Sequence, residues 1–422
     1  MIPKFPKQTY EYLGDPNAAF AARMTSRCPS CAPLDTGTTP QEIGTPVSPL
    51  CLAAVPLDME VVTLTETSYV ILYVDNTQVL YAVACTVPIG STAITFGTET
   101  ILDNTKKWRY IGADRLSDTE FVVAGIESGP TTYTNLYALS ASVDEARDIT
   151  PGAVNLLTSA AASGATNGTY LRSIQGTANQ FLLTFPTNPA VGEIYASHAV
   201  VTHTDSNNIT MGAYATQITY DAFGRPLSTT IRPLSEHSTD PSIQYGFNAS
   251  GISQGRMYPI LISGDTVTVG EDASPGSVQS GVPASGMKAL THLGSNAYIF
   301  ATGTTVIDPK IVAYYPQTDS DYTYQYADGY HTRGYDVTAG TGGRFAFINT
   351  RQTGGYAVTL DLFSFLLGSF TLYSHTVVQT FECFSPFVSL GKDGLTPTKF
   401  PAVYIEGCTN CIKTFVFEMG TP

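Results

Sequence analysis

Short hydrophobic runs, most of them opening on an aromatic residue, alternate along this chain with polar turns rich in Gly, Ser, Thr and Asn. Seven runs stand out: Tyr69–Tyr73, Phe121–Ala124, Phe181–Phe185, Met257–Leu261, Tyr298–Phe300, Phe345–Ile348 and Ala402–Ile405. Their starts lie 41 to 76 residues apart. A period of that size with strand-like composition predicts a repeat fold of small antiparallel sheets. A second mark, apolar-Thr-apolar-Gly, recurs at Ile94–Gly97, Ile209–Gly212 and Val267–Gly270. Between the two marks lie the alternating segments Val79–Cys85, Asn135–Ser140 and Ile194–Val200, which read as half-buried strands.

The predicted unit is therefore a hydrophobic strand, an alternating second strand, a third strand ending at the Thr-x-Gly turn, and a linker strand into the next unit. Repetition of that unit over residues 59–422 predicts an all-β propeller of about seven four-stranded blades; six or eight blades also fit, because the fourth and seventh units match weakly. Residues 219–245 and 270–286 read as insertions. The apolar stretch from Leu360 to Leu372 is interrupted by Asp361, Ser364, Gly368 and Ser369, and reads as two strands and a turn.

Residues 1–58 break the pattern. They carry nine prolines and three of the seven cysteines, with little periodicity, and read as an irregular arm that docks on the body or on a neighbour. Asp15-Pro16 ahead of Asn17–Met24 predicts one short helix there.

Composition agrees with the strand reading. Charged residues are 13% of the chain and hydrophobic ones 43%, with 25 Tyr against 1 Trp. Tyr, Thr and Val suit a pleated, half-buried surface, whereas long amphipathic helices need charged, Ala/Leu-rich faces. The net charge of −14, with 21 scattered basic residues, excludes a nucleic-acid partner. No stretch reaches 18 uninterrupted apolar residues, so no membrane span is expected. The N-terminus lacks the apolar core of a signal peptide, and export by that route is not expected.

The repeat, an aromatic strand preceding a Thr-x-Gly turn, resembles units of β-propellers that phages and related viruses carry as tail-associated or receptor-binding components. The resemblance spans roughly residues 60–420. It implies a structural or adhesive virion protein, assembled in the host cytoplasm, whose propeller loops meet a cell-surface glycan or protein receptor. Its other partners would be virion proteins or copies of itself. Trp-Asp, kelch and sialidase-type repeat signatures are absent.

Candidate chemistry is sparse. Cys28-Pro-Ser-Cys31 and Cys408-Thr-Asn-Cys411 are two Cys-x-x-Cys turns at opposite ends of the chain. Brought together by ring closure, they offer four thiolates for a structural zinc. Disulfides that also draw on Cys51, Cys85 and Cys383, and reduced thiols, are the competing readings. Tyr322, Tyr324 and Tyr326 alternate onto one strand face, with Tyr330 and His331 close behind, and make the best ligand-binding candidate, since tyrosine rings stack on sugars and donate hydrogen bonds. His198 and His203, at odd spacing, fall on opposite faces and make a poor metal pair. No catalytic motif is present, and the chain is expected not to be an enzyme. The alternative is a carbohydrate-binding or glycoside-hydrolysing propeller whose carboxylates converge only in space.

Overall fold

The computed structural model describes residues 43–420 except 129–132, 163–168, 175–176, 188–194, 217–225, 232–242, 251–255, 270–289, 294–296, 305–306, 316–319, 326–330, 353–355, 367, 382–387 and 408. The expected helix at 17–24, the Cys28–Cys31 turn, Cys408, Tyr326, Tyr330 and most of both insertions lie outside these residues.

Strand β1 (Val47–Cys51) precedes seven antiparallel meanders among the described residues. The first holds β2 (Asp58–Thr65), β3 (Ser68–Val74), β4 (Leu80–Thr86), β5 (Thr95–Phe96) and β6 (Thr100–Asp103). The second holds β7 (Trp108–Ser117), β8 (Glu120–Glu127), β9 (Tyr133–Val143), β10 (Ile149–Pro151) and β11 (Asn155–Ala162). The third holds β12 (Tyr170–Ser173), β13 (Gln180–Thr187), β14 (Tyr195–Asp205), β15 (Asn208–Met211) and β16 (Ala215–Thr216). The fourth comprises β17 (Pro226–Ile231), β18 (Ile243–Ser250), β19 (Arg256–Ser263) and β20 (Thr266–Val269). The fifth comprises β21 (Leu290–Leu293), β22 (Ala297–Thr304), β23 (Ile307–Tyr315) and β24 (Ser320–Gln325). The sixth comprises β25 (His331–Ala339), β26 (Arg344–Gln352), β27 (Tyr356–Leu366) and β28 (Ser369–Phe381). The last comprises β29 (Val388–Leu390), β30 (Lys399–Glu406) and β31 (Cys411–Glu418). A single pair, Ala161↔Thr187, joins the second and third meanders into one sheet.

The first strands touch in a closed circuit: β2 meets β7, then β12, β17, β21, β25 and β29 follow, and β29 meets β2 again. This is the propeller arrangement, and no helix occurs among the described residues. Its core lies between neighbouring sheets. Val62, Leu72 and Leu80 pack on Trp108, Phe121 and Leu139 across the first pair, and Met59, Tyr69 and Ile71 pack on Val403, Ile412 and Val416 where the ring closes.

The strand order differs from the expected unit by one position. Six of the seven hydrophobic runs are the second strand of their meander, not the first, and Met257–Leu261 lies on the third, β19. The alternating segments are third strands (β4, β9, β14), and the Thr-x-Gly marks lie on outer strands (β5, β15, β20). Second strands are covered by sheets on both faces, as in β3 and β13, so they read as unbroken apolar runs. First strands line the ring centre and carry charge, which hid them from a hydrophobic pattern.

Ring closure is a shared sheet. The last meander takes its fourth strand from the start of the chain, as β1 pairs antiparallel with β31 in the register Val47↔Thr414, Leu50↔Ile412 and Cys51↔Cys411. Gly44 extends the contact by donating its N–H to the Val416 carbonyl at 2.8 Å. The segment from Ile43 onward, read from sequence as arm, is thus part of the last sheet, and a disulfide joins Cys51 to Cys411.

Candidate functional site

First strands converge on the axis, so their polar side chains meet irrespective of sequence separation. Asp58 and Glu60 come from β2, Asp114 from β7, Tyr170 and Arg172 from β12, and Asp336 from β25, with Lys392 and Asp393 just beyond β29. Three of the aspartates do the same structural work. Asp58 accepts the N–H of Met59 at 2.9 Å and of Ile111 on the next first strand at 2.8 Å. Asp114 accepts those of Arg115 at 2.8 Å and Ser173 at 2.6 Å. Asp336 accepts those of Val337 and Leu390, both at 2.8 Å. Each carboxylate thus staples its strand to the next, and all three are at least nine-tenths buried. Burial raises the Asp114 carboxyl above its ordinary range, against the pull of Arg172.

Cations complete the frame. The Lys392 ammonium pairs with Asp336, and Arg115 Nη1 donates to the Leu64 carbonyl at 2.7 Å. Arg172 Nη1 donates to the carbonyls of Leu171 at 3.0 Å and Ala113 at 3.4 Å, and no further bond of its five-donor fork is found among the described residues. Close approach of β7 and β12 requires Gly112, where a Cβ would stand 2.4 Å from the Thr169 carbonyl oxygen.

Two groups remain that the frame does not use. The buried Tyr170 hydroxyl has no hydrogen-bond partner among the described residues, and the residue is only 7% exposed. Glu60 is half-buried, in the fields of Lys392 and Arg172 on one side and Asp58 and Asp336 on the other. Loss of hydration outweighs these fields and raises its carboxyl from 4.5 to about 7. Glu60 also acts on Tyr170 more strongly than any other charge, and burial holds that phenol well above its usual range.

A folded-state proton held more tightly than in the unfolded chain makes stability fall as pH rises between about 4.5 and about 7. The full span corresponds to about 3 kcal/mol, screened by partial contact with water to ~2 kcal/mol. Urea titrations of the protein and of Glu60→Gln across that window are expected to diverge, with the glutamine variant relatively more stable on the alkaline side. Identical pH slopes in the two proteins would remove Glu60 from this account.

Beside the ring centre, where β7 and β12 end, a pocket of about 350 Å³ opens. Arg115, Ser173, Thr177, Gln180 and Asp393 line it with donors and acceptors, and Phe181 supplies apolar surface. Gln180 is held by Asp265, its Nε2 donating to Oδ1 at 2.7 Å. The volume lies within the range of about 300–1,000 Å³ usual for small-molecule sites.

Residues singled out from sequence lie elsewhere. Tyr322 and Tyr324 share one face of β24, as alternation requires, but their rings pack on the next sheet. Tyr322 lies 5.6 Å from Phe365 and Tyr324 lies 5.1 Å from Phe363 between ring centroids. The Tyr322 ring also covers Gly368, whose φ of +78° closes the β27–β28 turn and leaves no room for a Cβ. His331 opens β25. Cys411 is bonded to Cys51, which takes its sulfur out of the four-thiolate set with Cys28, Cys31 and Cys408. No group of metal-ligating side chains is found among the described residues. His198 and His203 are buried and hydrogen-bonded to Thr184 and Ser140 respectively.

The axial cluster was missed in the sequence, although a signal was present. Asp58, Asp114 and Asp336 stand 11, 7 and 9 residues ahead of the aromatic runs that open at Tyr69, Phe121 and Phe345.

No known protein family matches the sequence, and no curated protein does. Solved structures do. A lectin from Burkholderia pseudomallei superposes with a TM-score of 0.54 at 10% identity, over 87% of this chain and 98% of that one. A Trypanosoma rangeli sialidase in complex with the inhibitor DANA gives 0.44 at 7% identity, over 72% and 54%. The Aleuria aurantia lectin in complex with alpha-methyl-L-fucoside gives 0.42 at 9%, over 77% and 98%. The first of these establishes a shared propeller fold. None of the three is a phage or virion component, so the resemblance to viral tail propellers has no counterpart among them.

Proposed function

We propose that this chain is a carbohydrate-binding propeller that holds a glycan without hydrolysing it. The observation that carries the reading is a polar pocket with one aromatic wall, in which Arg115, Ser173, Thr177, Gln180 and Asp393 stand around Phe181 beside the ring centre. Sugars present hydroxyl groups that both donate and accept, and one apolar face; carboxylates, guanidinium groups and a phenylalanine edge answer both. The propeller shared with a lectin supports this only as a scaffold; the recognition is argued from the side chains.

Binding is favoured over hydrolysis by how the carboxylates are employed. Glycoside cleavage needs two working carboxyl groups about 5–10 Å apart. Glu60, with its raised carboxyl, suits a general acid. Its acidic neighbours Asp58 and Asp336 are committed to backbone N–H groups on two strands each. The partner in this reading is a glycan, one of the two receptor classes, glycan or protein, expected from the sequence, and a virion location is not needed for it.

A glycan array probed with the full chain tests the proposal, alongside assays for release of reducing sugar. Retention on a defined sugar class is expected, with no turnover, and Arg115→Ala is expected to weaken it by about tenfold, measured well below the melting temperature of the variant because the change also removes the bond to the Leu64 carbonyl. Absence of binding to every glycan, or measurable hydrolysis, would overturn it.

A further inference from the structure

The pocket beside the ring centre has a hydrogen-bonding sense that its lining fixes side chain by side chain. Gln180 stands between that pocket and Asp265, which lies on the β19–β20 turn of the next sheet. An ionised carboxylate only accepts, so the amide nitrogen has to face it, and Nε2 donates to Asp265 Oδ1 at 2.7 Å. Gln180 is left with Oε1, an acceptor, for the pocket. Thr177 reaches the same sense by another route: its hydroxyl hydrogen goes to the Ile174 carbonyl 2.8 Å away, and lone pairs are what it offers a ligand. Asp393 adds a carboxylate from the last meander. Against these acceptors the described lining sets one cation, Arg115, and the Ser173 hydroxyl, which donates or accepts. Arg115 Nη1 already donates to the Leu64 carbonyl at 2.7 Å and stands 3.6 Å from the carboxylate of Asp118, a residue outside the lining.

We infer that the pocket selects a neutral sugar, whose hydroxyls donate to Gln180, Thr177 and Asp393, and rejects sugars that carry a carboxylate, with Asp265 as the residue that positions Gln180 for this choice. A sugar hydroxyl has a hydrogen to give to any of these acceptors and lone pairs with which to accept from Arg115. A carboxylate has no hydrogen to give. Beside Gln180 or Thr177 it loses hydration without replacement, and beside Asp393 it also meets a like charge. Arg115 does not offset this, because its charge is matched within the lining by Asp393 and faces Asp118 from outside it. That the ligand is a sugar rests on the carbohydrate reading above; that it is neutral rests on the sense of these hydrogen bonds.

Titration calorimetry on the full chain, with the methyl glycosides of glucose, galactose and mannose each set beside that of its uronic acid, isolates the charge, since the members of a pair differ only in a hydroxymethyl group against a carboxylate. The neutral member of at least one pair is expected to bind about tenfold more tightly than its uronate. Asp265 is exposed on its turn, so Asp265→Ala leaves the fold intact and frees the Gln180 amide to turn its nitrogen into the pocket. Neutral affinity is then expected to fall severalfold while uronate affinity rises, opposite movements that a general loss of structure does not produce. Asp393→Asn, which replaces an acceptor and a charge with an amide, is expected to raise uronate affinity as well. Uronates bound as tightly as their neutral partners, or a ratio unmoved in both variants, would overturn the inference and leave the carbohydrate reading standing. No binding of any of these glycosides would also overturn it, and together with a blank glycan array would sink the carbohydrate reading too.

Discussion

Replacing Asp336 with alanine is expected to destabilise the protein by about 3–5 kcal/mol, the largest loss from any single side chain at the ring centre. Its carboxylate holds the N–H of Val337, the N–H of Leu390 on the next first strand, and the Lys392 ammonium, all while only 4% exposed. Alanine leaves two backbone donors and a largely buried cation without partners, and each orphaned donor costs about 1–3 kcal/mol. Asparagine keeps one oxygen and recovers part of the loss. Equilibrium urea unfolding of both variants measures the difference. A loss below about 1 kcal/mol for the alanine variant would mean that water replaces the carboxylate at no cost, and the staple would not be structural.

Reduction of the Cys51–Cys411 disulfide, or Cys51→Ser, is expected to cost about 4 kcal/mol, at the upper end of the usual range. The two cysteines are 360 residues apart in sequence, so the bond removes the freedom of nearly the whole chain in the unfolded state. In the folded state it pins β1 onto β31, the step that gives the last sheet its outer strand. Thermal melts with and without reductant, with a thiol count on each sample, provide the measurement. Cys28, Cys31, Cys383 and Cys408 also enter the count, so it is compared with that of Cys51→Ser; Cys85 stays out of the native count, since it is fully buried and burial drives its thiol far above the usual range. An unchanged melting temperature after verified reduction would show that β1 pairing alone closes the ring.

The two losses act on one feature, the junctions between sheets. A propeller sheet touches only its neighbours, so inter-sheet contacts hold the ring and one open junction exposes two apolar faces. Asp58, Asp114 and Asp336 secure three junctions near the axis, and β1 with its disulfide secures the closing one at the rim.

The class of fold was readable from residues because its cause is local. A strand covered on both faces must be apolar at every position, so Tyr69–Tyr73 and Phe181–Phe185 announce themselves as runs. Alternation likewise put Tyr322 and Tyr324 on one face of β24. Which strand of the unit each run formed was not local: first strands such as β2 and β12 mix charge with apolar residues because one end of each faces the axis, and they carry no period of their own.

What the chain determined by itself is the repeated β-strand unit and the propeller class that follows from it. Only the tertiary structure decided that Tyr322 and Tyr324 serve packing against Phe365 and Phe363, that Cys411 joins Cys51, and that Asp58, Asp114 and Asp336 each reach a backbone N–H beyond their own strand. The physical reason is curvature: closing the ring brings first strands from distant parts of the sequence to a common axis, and no spacing along the chain encodes which backbone N–H each of their carboxylates will reach.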